Sequence, residues 1–329
     1  MSAGTRLCVV LSALLVALAA ISLFFGPAEL SPSTVLRALF WQGDAVDRSI
    51  VWEVRLPRVL LGILIGGSLG LAGAALQGLL RNPLAEPGVI GVSASAGLGA
   101  VMVLYWNSSG MTLSVPLAAI AGAGVATLLL VLLARKDASV LTLILAGVGI
   151  NSLAGAVTAL LLNLSPNPFA LADMVYWLMG SLADRSFDDV ALAAPFIIVG
   201  AALLLSSARG LGALTLGEDS AASLGISISR LSLIVIVGTA ASVGAGVAVA
   251  GTIGFIGLVV PHLLRPFFDY DPARLLVPGA LGGAVLLLAA DLLVRLLPGG
   301  QELKLGVVTA LVGAPVFLHL VWRTRRRMR

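Results

Sequence analysis

Residues 55–80 read RLPRVLLGILIGGSLGLAGAALQGLL, and this stretch decides the fold class. After Arg58 it runs to Leu80 without a charged side chain, long enough as a helix to cross a hydrocarbon layer of roughly 30 Å. Gly62, Gly66, Gly70, Ala74 and Gly78 recur every fourth position, so one side of that helix is nearly bare and another helix can approach it closely. Gly66-Gly67-Ser68-Leu69-Gly70 also fits a hydrolase nucleophile elbow, but that device needs a strand-to-helix turn and a positioned histidine. In the middle of an uninterrupted helix, Ser68 reads as a packing residue.

Apolar runs of this kind recur along all 329 positions. Hydrophobic residues make up 59% and charged residues 11%, and the mean hydropathy is +1.08, which excludes a water-soluble core. Spans are expected near 7–25, 59–80, 89–106, 114–134, 141–162, 191–208, 231–250, 253–266, 274–296 and 304–322, the eighth of them short. The fold class is thus an all-α membrane protein of ten transmembrane helices in one domain, 1–329. Ten crossings put both termini on one side. Arg6, Arg81, Arg135, Lys136, Arg209, Arg230, Arg265, Arg274 and the tail Arg323, Arg325, Arg326, Arg327 and Arg329 share that side, and the positive-inside rule makes it cytoplasmic. Arg37, Arg48, Arg55, Arg58, Arg185, Arg295 and Lys304 fall outside.

The first run has a second reading as a cleaved signal peptide, since Arg6 precedes an apolar run containing Ala17-Leu18-Ala19. Against it, the run stays apolar to Phe25, and its loss would unpair the ten-span charge pattern. Cys8 precedes the apolar run behind Thr5-Arg6-Leu7, which is no lipobox, and a single cysteine forms no internal disulfide.

Two connecting stretches are more than loops. Residues 163–190, on the outer face, include the apolar piece Met174 to Leu182 and predict a short helix outside or re-entering the membrane. Residues 210–229, GLGALTLGEDSAASLGISIS, are too polar to span and too apolar for a disordered loop, and predict short helices lying at the cytoplasmic surface.

Several chemistries are missing. Neither Lys136 nor Lys304 lies in a phosphate-binding Gly-x-x-x-x-Gly-Lys-Ser/Thr loop, so the chain is not expected to hydrolyse ATP. His262 and His319 have no ligand-spaced partner, so no metal site is expected, and the scattered bases give no nucleic-acid footprint. Asp291 and Arg295, four residues apart, can pair on one helical face. A proton-coupled secondary transporter would carry carboxylates deep in several spans, and a channel would carry a charged ring or a repeated filter; neither pattern is present.

The segments Arg55-Leu-Pro-Arg58, Gln77, Arg81-Asn-Pro-Leu-Ala-Glu-Pro-Gly88, Gly91-Val-Ser, Leu145-Ala-Gly-Val, Tyr176-Trp-Leu-Met-Gly180, Leu216 to Gly225, Gly254 to Arg265, Leu276-Val-Pro-Gly279 and Gly306 to Pro315 follow one another in a recognisable order. Over roughly residues 50–322 the chain resembles the FecCD-like permease family of the iron-siderophore, haem and cobalamin ABC importers. That resemblance implies a homodimer in the inner membrane with a path on its two-fold axis. It also implies two cytoplasmic ATPase subunits that hold ATP and Mg, and a periplasmic or lipid-anchored substrate-binding protein. The chain itself would bind no cofactor. An iron-siderophore complex is the favoured substrate within the family, with haem and cobalamin as alternatives.

The resemblance also implies site residues. Leu216, Gly217, Glu218, Asp219, Ala222, Leu224 and Gly225 match the family's ATPase-coupling helices. Asn82 and Leu84 match a loop that closes the path on the cytoplasmic side, whereas Val140-Leu141 departs from the small hydroxyl residues of the cobalamin permease at the second gate loop. Arg55, Arg58 and Arg295 match arginines that receive acidic residues of the binding protein.

Overall fold

The computed structural model describes residues 3–106, 114–134, 140–297 and 303–325. The predicted Arg135-Lys136 loop and the tail residues Arg326, Arg327 and Arg329 lie outside these, as do the side chains at Val140 and Leu141. Among the described residues the chain is helical, with no strand. Helix α1 (Ala3–Phe24) is followed by α2 (Pro32–Leu39) and α3 (Ala45–Ser49), and a π-helical turn over Ile50–Arg55 carries α3 into α4 (Leu56–Leu79). Next come a 3-10 turn at Pro87–Ile90, α5 (Val92–Trp106), α6 (Ser114–Ala134), α7 (Val140–Asn163), α8 (Pro168–Leu178) and α9 (Phe187–Ser206). The short α10 (Ala208–Leu214) and α11 (Glu218–Ser223) lead to α12 (Ile228–Ala250), α13 (Ile256–Leu264), α14 (Pro272–Leu296) and α15 (Leu305–Arg325).

Each expected span coincides with a helix. Among the described residues, seven helical stretches are long and apolar enough to cross a membrane: α1, the continuous rod Ala45–Leu79, α6, α7, α9, α12 and α14. Three apolar stretches are shorter, Val92–Trp106, Ile256–Phe268 and Leu305–Leu318. Helix starts follow local capping chemistry. The Asn167 side chain accepts the Ala170 N–H at 2.9 Å with Pro168 at the first helical position, and Asp271 does the same for Ala273 beside Pro272. Ser186 and Asp189 form a reciprocal capping box at the start of α9.

Helix α4 is the axis of the bundle, buried on nearly every side. Its small-residue stripe packs against α14: a methyl at Gly66 would stand 2.5 Å from the Gly283 carbonyl oxygen, one at Gly62 2.6 Å from Leu288, and one at Gly78 2.7 Å from Pro272. Gly70 abuts the Gly279 backbone. Glycines on both helices bring the two backbones together, and dispersion rather than hydrophobic transfer holds them in an apolar solvent. The side chain of Ser68 donates to the Ile65 carbonyl at 2.9 Å, the local bond of a packing residue.

Candidate functional site

The bundle has two chemically different ends. One carries the start of α4, the end of α14, α8 and the loops after α1 and α12. Here Arg58 Nε donates to Asp291 at 3.0 and 3.2 Å, and Arg58 Nη2 lies 2.9 Å from Asp291 Oδ1. Arg295 Nη2 stands 2.8 Å from Asp291 Oδ2, while its Nη1 donates to the carbonyls of Ser22 and Phe25 at 2.9 and 2.8 Å. Arg55 donates to Leu23 and Ala28 at 2.7 and 2.6 Å. The last carbonyls of α1 have no partner within their own helix, and these two arginines supply donors to them. This explains why basic residues sit against the charge bias of the chain.

The three arginines expected at a docking surface therefore do meet at one end, but their side chains turn inward. Arg55 and Arg58 are 3% and 7% exposed and the Arg295 side chain is 1% exposed. In this structure they clasp α1, α4 and α14 rather than standing free for a partner.

From the same end an irregular stretch of backbone runs inward. The chain leaves α12 at Gly251, passes as an extended segment to Phe255, and only then resumes as α13. Three distant backbones join here: Ser181 N–H donates to the Ala250 carbonyl at 2.8 Å, Leu305 N–H to Gly180 at 2.9 Å, and Gly306 N–H to Met179 at 3.1 Å. The Thr252 hydroxyl donates to the Leu178 carbonyl. Gly180, at φ +72°, and Gly251, at φ +70°, need glycine for their turns, and any side chain at Gly251 would meet the Trp177 carbonyl. The knot backs an open concavity of about 680 Å³ between α8, the 251–255 segment and α15. Met179, Thr252, Phe255, Val307, Leu311 and Pro315 line it, and none of the described residues on it is charged.

Deeper along α13, Pro261 has no N–H for the Gly257 carbonyl four residues before it. Gln77 of α4 supplies the donor: its Nε2 reaches Gly257 and Leu258 carbonyls at 3.3 and 3.2 Å. Arg265 Nη2 donates to Gln77 Oε1 at 2.9 Å, which fixes the amide. No role was assigned to Gln77 from the sequence, although a lone glutamine in an uncharged span and a proline inside another were both visible.

The opposite end carries the remaining predicted residues. The Asn82 side chain accepts the Leu84 N–H at 2.9 Å, turning the loop after α4 so that Leu84 is exposed while Ala85 is buried. Beyond Ala85 the chain turns back into the bundle, where Pro87 packs against Gly257 and Glu86 meets the 251–255 segment; burial raises its carboxyl above the ordinary range, opposed by the backbone N–H of Phe255. Helices α10 and α11 are the predicted surface helices over 210–229. Leu211, Leu214 and Ala221 are buried and anchor them, and α10 packs on α4 and α14. Leu216, Glu218, Asp219, Ala222, Leu224 and Gly225 are exposed. Gly217 at φ +102° and Gly225 at φ +82° make the turns that set two exposed leucines on either side of an acidic step.

Residues 14–323 match the FecCD transport family. The chain belongs to that family. Among FecCD relatives, the uncharacterized ABC transporter permease protein YvrB of Bacillus subtilis (strain 168) is 42% identical over 289 residues, 86% of this chain and 81% of its own. The vitamin B12 import system permease protein BtuC of Vibrio cholerae serotype O1 is 44% identical over 282 residues, 85% of each chain. A solved structure assigned to a metal-chelate type of ABC transporter, in an inward-facing conformation, superposes with a TM-score of 0.86 at 32% identity, covering 97% of this chain and 99% of that one. This FecCD chain is accordingly a multi-span permease of the ABC importer type, a transport subunit by kinship.

Proposed function

We propose that the chain forms, as a homodimer, the translocation path for a bulky metal chelate. The observation that carries this reading is the uncharged concavity backed by the Gly180, Gly251 and Gly306 knot, a wall that offers a large ligand contact without strong attachment. Ten crossings complete the subunit, the three shorter apolar helices spanning with the help of the 251–255 segment and the flanking loops. Both termini then lie in the cytoplasm of a cell with the chain in its inner membrane.

In this reading α10 and α11 seat in two separate ATPase subunits that hold ATP and Mg. Asn82 and Leu84 close the path on that side. A periplasmic or lipid-anchored binding protein docks at the opposite end, on the platform that Arg55, Arg58 and Arg295 hold together. The vitamin B12 permeases among the relatives favour a corrinoid ligand. An iron-siderophore complex is the second reading, favoured by the metal-chelate type of the structural relative, with haem as a further member of the class.

The test is ATPase activity and uptake in the reconstituted complex, read with cobalamin, a ferric hydroxamate and haem in parallel. Stimulation by one chelate names the substrate. Absence of stimulation by all three, with the complex assembled, would overturn the reading. Labelling of cysteines placed at position 136 and in the tail checks the topology, and labelling from outside intact spheroplasts would contradict ten crossings.

A further inference from the structure

Helix α2 and the turn after it carry an apolar ridge that the described residues leave uncovered. Leu36, Phe40 and Trp41 are 49%, 76% and 67% exposed. Leu36 and Phe40, four residues apart, stand on one side of the helix. The other side already has its own small core, in which Val35 and Ala38 are buried with Val51 and flanked by Phe24, Leu30 and Trp52. Trp41 is held at φ +60°, a strained conformation for a bulky residue. Its ring rests 5.8 Å from that of Trp52 and 5.9 Å from the Arg48 guanidinium, and Trp52 Nε1 donates to the Ala38 carbonyl at 3.0 Å. The indole is thus fixed in place with most of its surface turned outward.

The neighbouring elements set the depth of the ridge. Helix α1 buries only Gly4 and Ser22 of its 22 residues, so lipid surrounds most of it. At about 1.5 Å per residue it is about as long as the hydrocarbon layer is thick, and its end marks the edge of that layer. Arg55 donates to Leu23 and Ala28 and so stands level with this edge. Along the rod Ala45–Leu79, Trp52 and Arg48 lie roughly 5 and 10 Å beyond Arg55. Trp41 touches both and stands between those levels. A headgroup layer extends roughly 5–7 Å past the hydrocarbon on each side, the depth at which tryptophan collects. The exposed apolar surface of α1 continues through Ile21 and Phe25 toward this same level.

We propose that the Leu36, Phe40 and Trp41 ridge is seated in the phospholipid headgroup layer at this end of the bundle and anchors the corner between α1 and α4 to it. Glu29, Asp44, Asp47 and Glu53 outnumber Arg37 and Arg48 in this corner. The hold is therefore apolar and aromatic, on a zwitterionic surface, rather than a charge attraction. A soluble protein partner is the competing occupant, and the continuity of the ridge with the lipid-facing side of α1 favours lipid. The inference needs α1 to cross the membrane and does not depend on which ligand is carried.

Tryptophan fluorescence of the full-length chain in phosphatidylcholine nanodiscs tests it, with the Trp41 component taken as wild type minus Trp41→Phe. Phosphatidylcholine carrying a nitroxide on its headgroup should quench that component, and iodide in the water should quench it less than it does free tryptophan. Sodium chloride should leave the lipid quenching unchanged. Iodide quenching as full as that of free tryptophan, with no loss of intensity in the nitroxide lipid, would overturn the proposal and leave the ridge to a soluble partner. Lipid quenching that high salt abolishes would overturn the apolar hold. Should Trp41→Phe fail to fold, spin labels on Leu36→Cys and Asp44→Cys in a Cys8→Ser background give a second reading. Leu36 should collide more with oxygen, which partitions into lipid, and Asp44 more with a nickel chelate that stays in water. Equal access of the nickel chelate to both positions would overturn the proposal.

Discussion

Arg58 and Asp291, 233 positions apart, meet at 3.0 Å in the buried end of the bundle and tie the first turn of α4 to the last turns of α14. Asp291 also serves Arg295, so its loss leaves two buried cations facing each other. Breaking one side of a buried ion cluster costs about 3–5 kcal/mol. Asp291→Ala should therefore lower the thermal midpoint of the purified chain sharply. Arg58→Met combined with Asp291→Leu should cost less than Asp291→Ala, because fewer unpaired charges remain. Equal midpoints for wild type and Asp291→Ala would refute the clasp. In the same series, Arg55→Glu separates two roles. A clasp predicts lower stability, whereas a docking residue predicts normal stability with a slower, salt-dependent association of the binding protein.

Gln77 and Pro261 form a second testable pair. Gln77→Leu strips the Gly257 carbonyl and Arg265 of a partner in an apolar setting, at a cost of about 1–3 kcal/mol for each buried polar group left unmade. Pro261→Ala restores an N–H four residues after Gly257, so it should recover part of the loss in the Gln77→Leu background. Thermal unfolding of the two single variants and the double variant gives the coupling. Strict additivity would show that the glutamine does not replace the missing helix donor.

What the sequence revealed follows from how local each signal is. The Gly62 to Gly78 stripe announces a close helix contact because helical spacing alone brings those positions to one side, and α14 fills it. The surface helices over 210–229 and the helix within 163–190 were legible for the same reason: composition changes within a few residues. The Asp291–Arg295 pair was legible at four-residue spacing, but Arg58 joining it was not, since nothing local links positions 58 and 291. The inward turn of Arg55 was hidden too, because its acceptors are main-chain carbonyls of α1, which any sequence would offer. The backbone knot behind the concavity was the least legible feature. It is made by backbones at 180, 251 and 306 whose glycines, read singly, are ordinary in a chain with 38 of them.

Glu86 gives a pH signature. Its carboxyl is raised by burial, so the unfolded chain releases this proton before the folded chain does. The folded state binds more protons above the ordinary glutamate range, and the contribution of Glu86 to stability falls as pH rises through that range toward its folded value. Glu86→Gln removes the dependence. The variant should match wild type near pH 4 and gain in thermal midpoint relative to it toward pH 7. A difference that is constant across that window would contradict a desolvated carboxyl at this position.

The exposed step between Leu216 and Leu224 carries the prediction closest to function. If α10 and α11 transmit ATP hydrolysis, the acidic turn and the two leucines must seat in a cleft of the ATPase, and their chemistry should matter without altering the fold. The structure supports that separation, because Leu211, Leu214 and Ala221 anchor the segment while Leu216, Glu218, Asp219 and Leu224 face outward. Glu218→Arg reverses a charge and Leu224→Asp places a charge on an apolar contact. Either change at the centre of an interface costs about 2 kcal/mol or more, roughly thirtyfold in association. Both variants should insert and unfold like wild type, yet lose ligand-stimulated ATPase activity and uptake in the reconstituted complex. Gly217→Ala should act differently, since φ +102° strains any side chain, and it should distort the turn even where the contact surface is intact. Full ligand-stimulated activity in both Glu218→Arg and Leu224→Asp would remove the coupling role from this surface.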